Sequence, residues 1–153
     1  MTQGSYGVAM SDHEIATFFD ECGDGVLAFG GDLSYAIPIS FGYDVVENRV
    51  IFQFVFGPES KKRSYIETGG DVSLVTYDWA DPDDWRSVIA TGSLSPIEAD
   101  SPAEVAASEV FAPRATAIPM AGFGLSADEL DPQWYELAVE ERHGRQAPQT
   151  STD

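Results

Sequence analysis

Two hydrophobic periods alternate along this chain. Ile15, Phe18 and Phe19 recur at helical spacing, and Ser11 with Glu14 reads as a capping box, so Ser11–Cys22 is predicted to be a helix. Glu21–Gly25 is turn chemistry, and Val26–Phe29 then reads as a short buried strand. Gly30-Gly31-Asp32 suits a hairpin connection. From Ser34 to Tyr43 the alternation is strict. Tyr35, Ile37, Ile39, Phe41 and Tyr43 share one face, while Ser34, Ala36, Pro38, Ser40 and Gly42 share the other. Pro38 donates no ladder bond, so its position should be an edge, a bulge or a ligand contact. Val50, Phe52, Phe54 and Phe56 mark a third strand.

The period returns to helical over Pro58–Thr68, which Gly69-Gly70 ends. Val72–Tyr77 reads as a strand, Asp78–Asp84 as a solvated acidic loop, and Trp85–Ile97 as a long strand with Gly92 at a bulge or close approach. Pro102–Val110 is a short helix with proline in its first turn. Phe111–Leu125 is irregular, and Gln133–Glu140 closes the pattern as a last strand. Six strands joined by tight turns predict an antiparallel, mainly β barrel with peripheral helices. The expected organisation is a flexible N-terminus over residues 1–10, one domain over 11–141 and a disordered tail over 142–153.

Composition sharpens this picture. The 153 residues carry 26 acids against eight lysines and arginines, a net charge of -18. Such a surface repels nucleic acid and anionic membranes. Its acids are spread along the chain, and it resembles the acidic style of proteins from extreme halophilic archaea, whose self-repulsion salt screens. No apolar run is long enough to span a bilayer. The N-terminus lacks a basic and apolar leader, and Cys22 is the single cysteine, which together point to the cytoplasm.

Hydrolase chemistry finds no support, because there is no G-x-S-x-G elbow and His13 and His143 fall in a surface helix and a tail. Asp78, Asp81, Asp83 and Asp84 lack the ordered spacing of a calcium loop, so no metal site is expected. The anomaly is Ser60-Lys61-Lys62-Arg63, where three of the eight bases are consecutive. Near a predicted helix start, that cluster suits a phosphate; the alternative is a helix surface pairing with acids. The small face of Ser34 to Gly42 leaves room for a flat ring, unless a neighbouring element covers it. Trp85 and Ser87 add an aromatic ring and a hydroxyl at a strand start, and Trp85 serves equally as core or interface packing.

Together, Ala36-Ile37-Pro38-Ile39-Ser40-Phe41, Val50-Ile51-Phe52, Ser60-Lys61-Lys62, Asp71-Val72-Ser73-Leu74 and Arg86-Ser87-Val88 leading to Gly92 resemble the pyridoxamine 5′-phosphate oxidase-like family of FMN-binding split barrels. The resemblance runs from about Gly25 to Glu98 and is nearest the flavin-nucleotide-binding and nitroimidazole-reductase-like branches. It implies a Greek-key-like six-stranded split barrel and FMN as cofactor. It also implies a homodimer with the flavin at the subunit interface. Ser60, Lys61 and Lys62 would match the phosphate motif. Pro38, Ile39, Ser40, Phe41 and Tyr43 match the strand lining the flavin ring, Val55 and Phe56 the strand end beside the ribityl phosphate, and Ser87 a polar residue touching the flavin, with Trp85 beside it. The activity implied is FMN-dependent oxidoreduction on an unknown substrate, with no catalytic side chain assigned. Alternatives are a non-catalytic flavin carrier or sensor, and a split barrel holding haem or a deazaflavin. Haem would want a ligand such as histidine, and neither histidine falls in an expected strand.

Overall fold

The computed structural model describes residues 7–30, 35–56, 66, 70–115 and 131–148. Its elements in chain order are β1 (Val8–Ala9), α1 (Asp12–Glu21), β2 (Asp24–Phe29), β3 (Tyr35–Ser40), β4 (Gly42–Asp44), β5 (Arg49–Phe56), β6 (Gly70–Asp81), β7 (Asp84–Pro96), α2 (Pro102–Phe111) and β8 (Asp131–Gln146). All pairings are antiparallel, and the path across the sheet is β3-β2-β6-β7-β8-β5-β4, with β1 added to β8. The architecture is the expected mainly β split barrel, with eight strands in place of six.

The two extra strands have separate causes. The Ser34–Tyr43 pattern is one stretch of chain but two strands. It breaks at Phe41, whose N–H donates to the carbonyl of Gly23 at 2.9 Å. Before the break the chain pairs with β2, and after it with β5. One bent segment therefore forms both ends of the sheet path and curls the sheet into a barrel. Pro38 sits on β3, an end strand of the path, where a missing N–H costs least. The other addition is β1, which pairs Val8 with Gln146 and Ala9 with Arg145, so these residues are not a loose lead-in.

Two further expectations are corrected. The acidic stretch is a hairpin: β6 runs to Asp81, Pro82 and Asp83 form the turn, and Trp79 stands opposite Trp85. Aromatic cross-strand partners outweigh the dispersed carboxylates here. The last strand continues six residues past Glu140 to Gln146, where a frayed tail was expected. Between the Thr91–Glu141 and Gly92–Val139 pairs the register shifts, which leaves Glu140 as the extra residue of a bulge. Inward positions change there from Tyr135 and Leu137 to Gly144 and Gln146, all buried. A reading at strict period two ends where the parity flips. As a result His143 belongs to a barrel strand, opposite Ile89.

The core fills the barrel with Leu27, Val50, Phe52, Leu74, Val88, Ala90 and Leu137, and α1 closes one end. The capping box is formed: Ser11 Oγ accepts the Glu14 N–H at 3.1 Å, and Glu14 Oε1 accepts the Ser11 N–H at 2.8 Å. The buried Ile15, Phe18 and Phe19 of α1 face inward. The helix α2 instead covers the outside of β4 and β5, which is why Ile51 is buried although it faces away from the barrel interior. At the contact, a Cβ on Gly42 would lie 2.7 Å from the Val110 carbonyl oxygen, so only glycine allows this approach.

Candidate functional site

With α2 over β4 and β5, no other described helix lies over the rest of the outer barrel face. Five strands contribute to it one row of directly opposed residues: Pro38, Val26, Val75, Ile89 and His143. Opposed residues in a ladder share a face, and four strand spacings make the row about 19 Å wide. A second row holds Ala36, Ala28, Ser73, Thr91 and Glu141. A third holds Tyr77, Ser87, Arg145 and Ala9. Large apolar side chains here are exposed: Val26 is 38% accessible, Ile89 44%, Tyr77 69% and Trp79 60%. Large apolar side chains exposed together on one face make it the candidate binding face.

The polar groups of this face lie at its β7 and β8 side. Ser87 stands between Tyr77 and Arg145. The Arg145 Nη2 donates to the Gly7 carbonyl at 2.7 Å. His143 is exposed and lies 3.8 Å from Glu141. Small side chains at Ala28, Ala36 and Ser73 keep the middle of the face flat, so its residues fit a planar aromatic group better than a compact ion.

The residues expected from sequence divide into three groups. Pro38, Trp85 and Ser87 do lie on the open face. Pro38 is three strands from Ser87, so they border opposite sides of it. Trp85 is half-buried, and its Nε1–H donates to the Pro82 carbonyl at 3.2 Å. Ile39, Phe41 and Tyr43 point into the barrel, where Phe19 packs on Phe41 at 5.9 Å and on Tyr43 at 5.1 Å between ring centroids. Their side chains are core, and only their backbone remains for a ligand. Ser40 is buried, opposite Asp24. Val55 is half-buried opposite Pro132, and Phe56 pairs with Asp131 in β5 and β8. Ser60, Lys61 and Lys62 lie outside the described residues.

Sequence reasoning missed Val26, Val75, Tyr77, Ile89, His143 and Arg145. A signal was present for the first four, because β2, β6 and β7 carry apolar residues at both parities, and a strand apolar on both faces has both faces covered.

A cleft of about 310 Å³ at the end of α1 is lined by Glu21, Cys22, Asp24, Asp78 and Arg86. The Arg86 guanidinium lies 4.5 Å from the Phe18 ring centroid, 3.6 Å from Asp78 and 3.9 Å from Glu21. Burial pushes the Cys22 thiol above its ordinary pKa, which makes it a poor nucleophile at neutral pH. Three carboxylates there disfavour an anionic ligand. Among the described residues no helix is long and apolar enough to cross a membrane.

Residues 11–146 match the pyridoxamine 5′-phosphate oxidase family. No curated protein matches the chain in sequence. In structure, the FAD-binding protein of Mycobacterium smegmatis is similar at a TM-score of 0.67 and 18% identity, over 94% of this chain and 100% of that one. The FAD- and haem-binding protein of the same species is similar at 0.67 and 16%, over 94% and 74%. A proposed 5-nitroimidazole antibiotic resistance protein of Bacteroides thetaiotaomicron is similar at 0.63 and 15%, over 93% and 88%. These likenesses show a shared fold.

Proposed function

The chain belongs to the pyridoxamine 5′-phosphate oxidase family, and from that premise we propose that it is an FMN-dependent oxidoreductase. In this reading the flavin sits on the open outer face, between two copies of the chain. The observation that carries it is the division of the barrel exterior. Among the described residues, α2 covers one part of it, while the row from Pro38 to His143 keeps Val26 and Ile89 exposed on either side of Val75. A planar cofactor and a second copy would together bury that surface. Ser87 would supply a hydroxyl at the ring, and Ser60, Lys61 and Lys62 would receive the phosphate, as the sequence resemblance implies. A flavin brings the electron transfer, while the residues of the chain position it and keep water away.

The test is the absorption spectrum of the purified protein in high salt. A flavin spectrum bleached by dithionite supports the reading, and Ser60→Ala with Lys62→Ala should then weaken FMN binding. Unchanged affinity in that pair would mean the phosphate is held elsewhere. Ile89→Asp should convert a dimer to a monomer in size-exclusion chromatography with light scattering; a wild-type monomer would sink the shared site. Holo-protein that never oxidises NAD(P)H or another donor would be a carrier or sensor.

A second reading is favoured by one residue. His143 stands on the outer face, opposite Ile89, exposed, and its imidazole would be the haem ligand. Titration with hemin separates the two readings: a Soret shift lost in His143→Ala favours haem, and no shift removes it.

A further inference from the structure

Gly7 leads into β1 with φ of +77°, a conformation that favours glycine. Its carbonyl accepts the hydrogen bond from Arg145. A Cβ at Gly7 would fall 2.5 Å from Cη2 of Trp85, so the indole lies directly against this residue. That indole is itself tied to the β6–β7 turn through Pro82. Three residues on, the Met10 N–H donates to the Gly144 carbonyl at 2.9 Å. The strand between is only two residues long, and both are exposed. Its short ladder is therefore supplemented at Gly7 by Trp85 and Arg145.

Both of these side chains belong to the open outer face. Trp85 is two residues from Ser87 on β7, and Arg145 is directly opposite Ser87 on β8. A group seated at Ser87 borders both. We propose that β1 is a latch whose closure is coupled to occupancy of the outer face, through Trp85 and Arg145. This rests on the reading of that face as the flavin seat. A bound ring fills the space into which the indole and the guanidinium would swing when β1 lifts, so it holds them against Gly7. Linkage makes the effect reciprocal: whatever loosens β1 weakens the ligand by the same factor.

The experiment is hydrogen exchange at the Met10 amide in the full chain, with and without FMN. Saturating FMN should slow exchange on the order of fivefold or more. Gly7→Ala, which pushes a methyl group into Trp85 and the Gln146 carbonyl, should weaken FMN binding by a similar factor, read from flavin fluorescence. Unchanged Met10 exchange in a chain that has taken up FMN overturns the latch and leaves the flavin reading standing. Wild-type FMN affinity in Gly7→Ala does the same. A wild-type chain that takes up no FMN overturns the flavin reading, and the latch with it.

Discussion

The Tyr43 hydroxyl accepts a hydrogen bond from Nη1 of Arg142 at 2.8 Å. It donates one in turn to Oδ1 of Asn48 at 2.7 Å. Tyr43 lies on β4 and Arg142 on β8, which are not ladder neighbours, since β5 runs between them. The contact ties the far end of the sheet path to its middle. Burial pushes the phenol above its ordinary pKa, so it stays a neutral hydroxyl over the working pH range.

Tyr43→Phe should therefore lower stability by about 1.5 kcal/mol, the low end for a hydrogen bond to a charged partner. Arg142→Met should cost a similar amount. Urea unfolding of both single variants and the double variant is the measurement. The double loss should fall short of the sum, and strict additivity would show that the two groups do not interact.

The bulge on β8 depends on a close approach across the ladder. A Cβ at Gly92 would overlap the Ala138 carbonyl. Gly92→Ala should cost about 3 kcal/mol, because backbone and not a flexible side chain must move. Gly30 has nothing within 4 Å of its would-be Cβ, and Gly30→Ala should be neutral or slightly stabilising. Thermal melts of the pair give the comparison, and equal shifts would contradict the assignment.

Asp44 organises the β4–β5 turn. Burial alone would raise its pKa, but the Glu47 and Val46 N–H groups and the Arg49 guanidinium at 3.0 Å outweigh it and hold the carboxyl below its ordinary range. A depressed folded value means stability that is complete above the unfolded pKa of about 3.9 and lost as pH falls through the folded value. Acid unfolding of Asp44→Asn should show a shallower loss below about pH 4 than the wild type, from a lower plateau at neutral pH. Parallel curves would remove Asp44 from the acid response.

The arginines are largely engaged at home. Arg49 meets Asp44 and Glu136, Arg86 meets Asp78 and Glu21, Arg114 meets Asp20, and Arg142 meets Asp12. With 26 acids and eight bases, most carboxylates must rely on dissolved cations. The melting temperature should rise steeply with KCl toward about 1 M, where screening acts over only about 3 Å. A flat dependence would show that self-repulsion is already balanced within the fold.

Much of the fold was legible in the residues. The helix α1 was readable because its cap and its apolar stripe lie within a few residues of each other. The β7 strand was readable because Val88, Ala90, Gly92 and Leu94 keep one parity throughout. The end of β8 was not, because a bulge changes parity without changing composition. The inward direction of Ile39, Phe41 and Tyr43 could be read from alternation, but not that their side chains would all be taken up by the barrel core. The basic cluster at Ser60 to Arg63 lies outside the described residues, so its part in the site stands on sequence alone.

The open face marks the boundary between the two kinds of information. Alternation along a strand is local backbone geometry, so the amino-acid sequence by itself determined that Val26 and Leu27, Val75 and Leu74, and Ile89 and Val88 lie on opposite faces of their strands. It could not determine which outward residues would be covered. That depends on where α2 packs, and α2 settles over β4 and β5 because Gly42 lets its backbone come close. Only the tertiary structure, by packing α2 over one part of the barrel exterior and leaving Val26 and Ile89 exposed on another, decided which outward residues stay accessible.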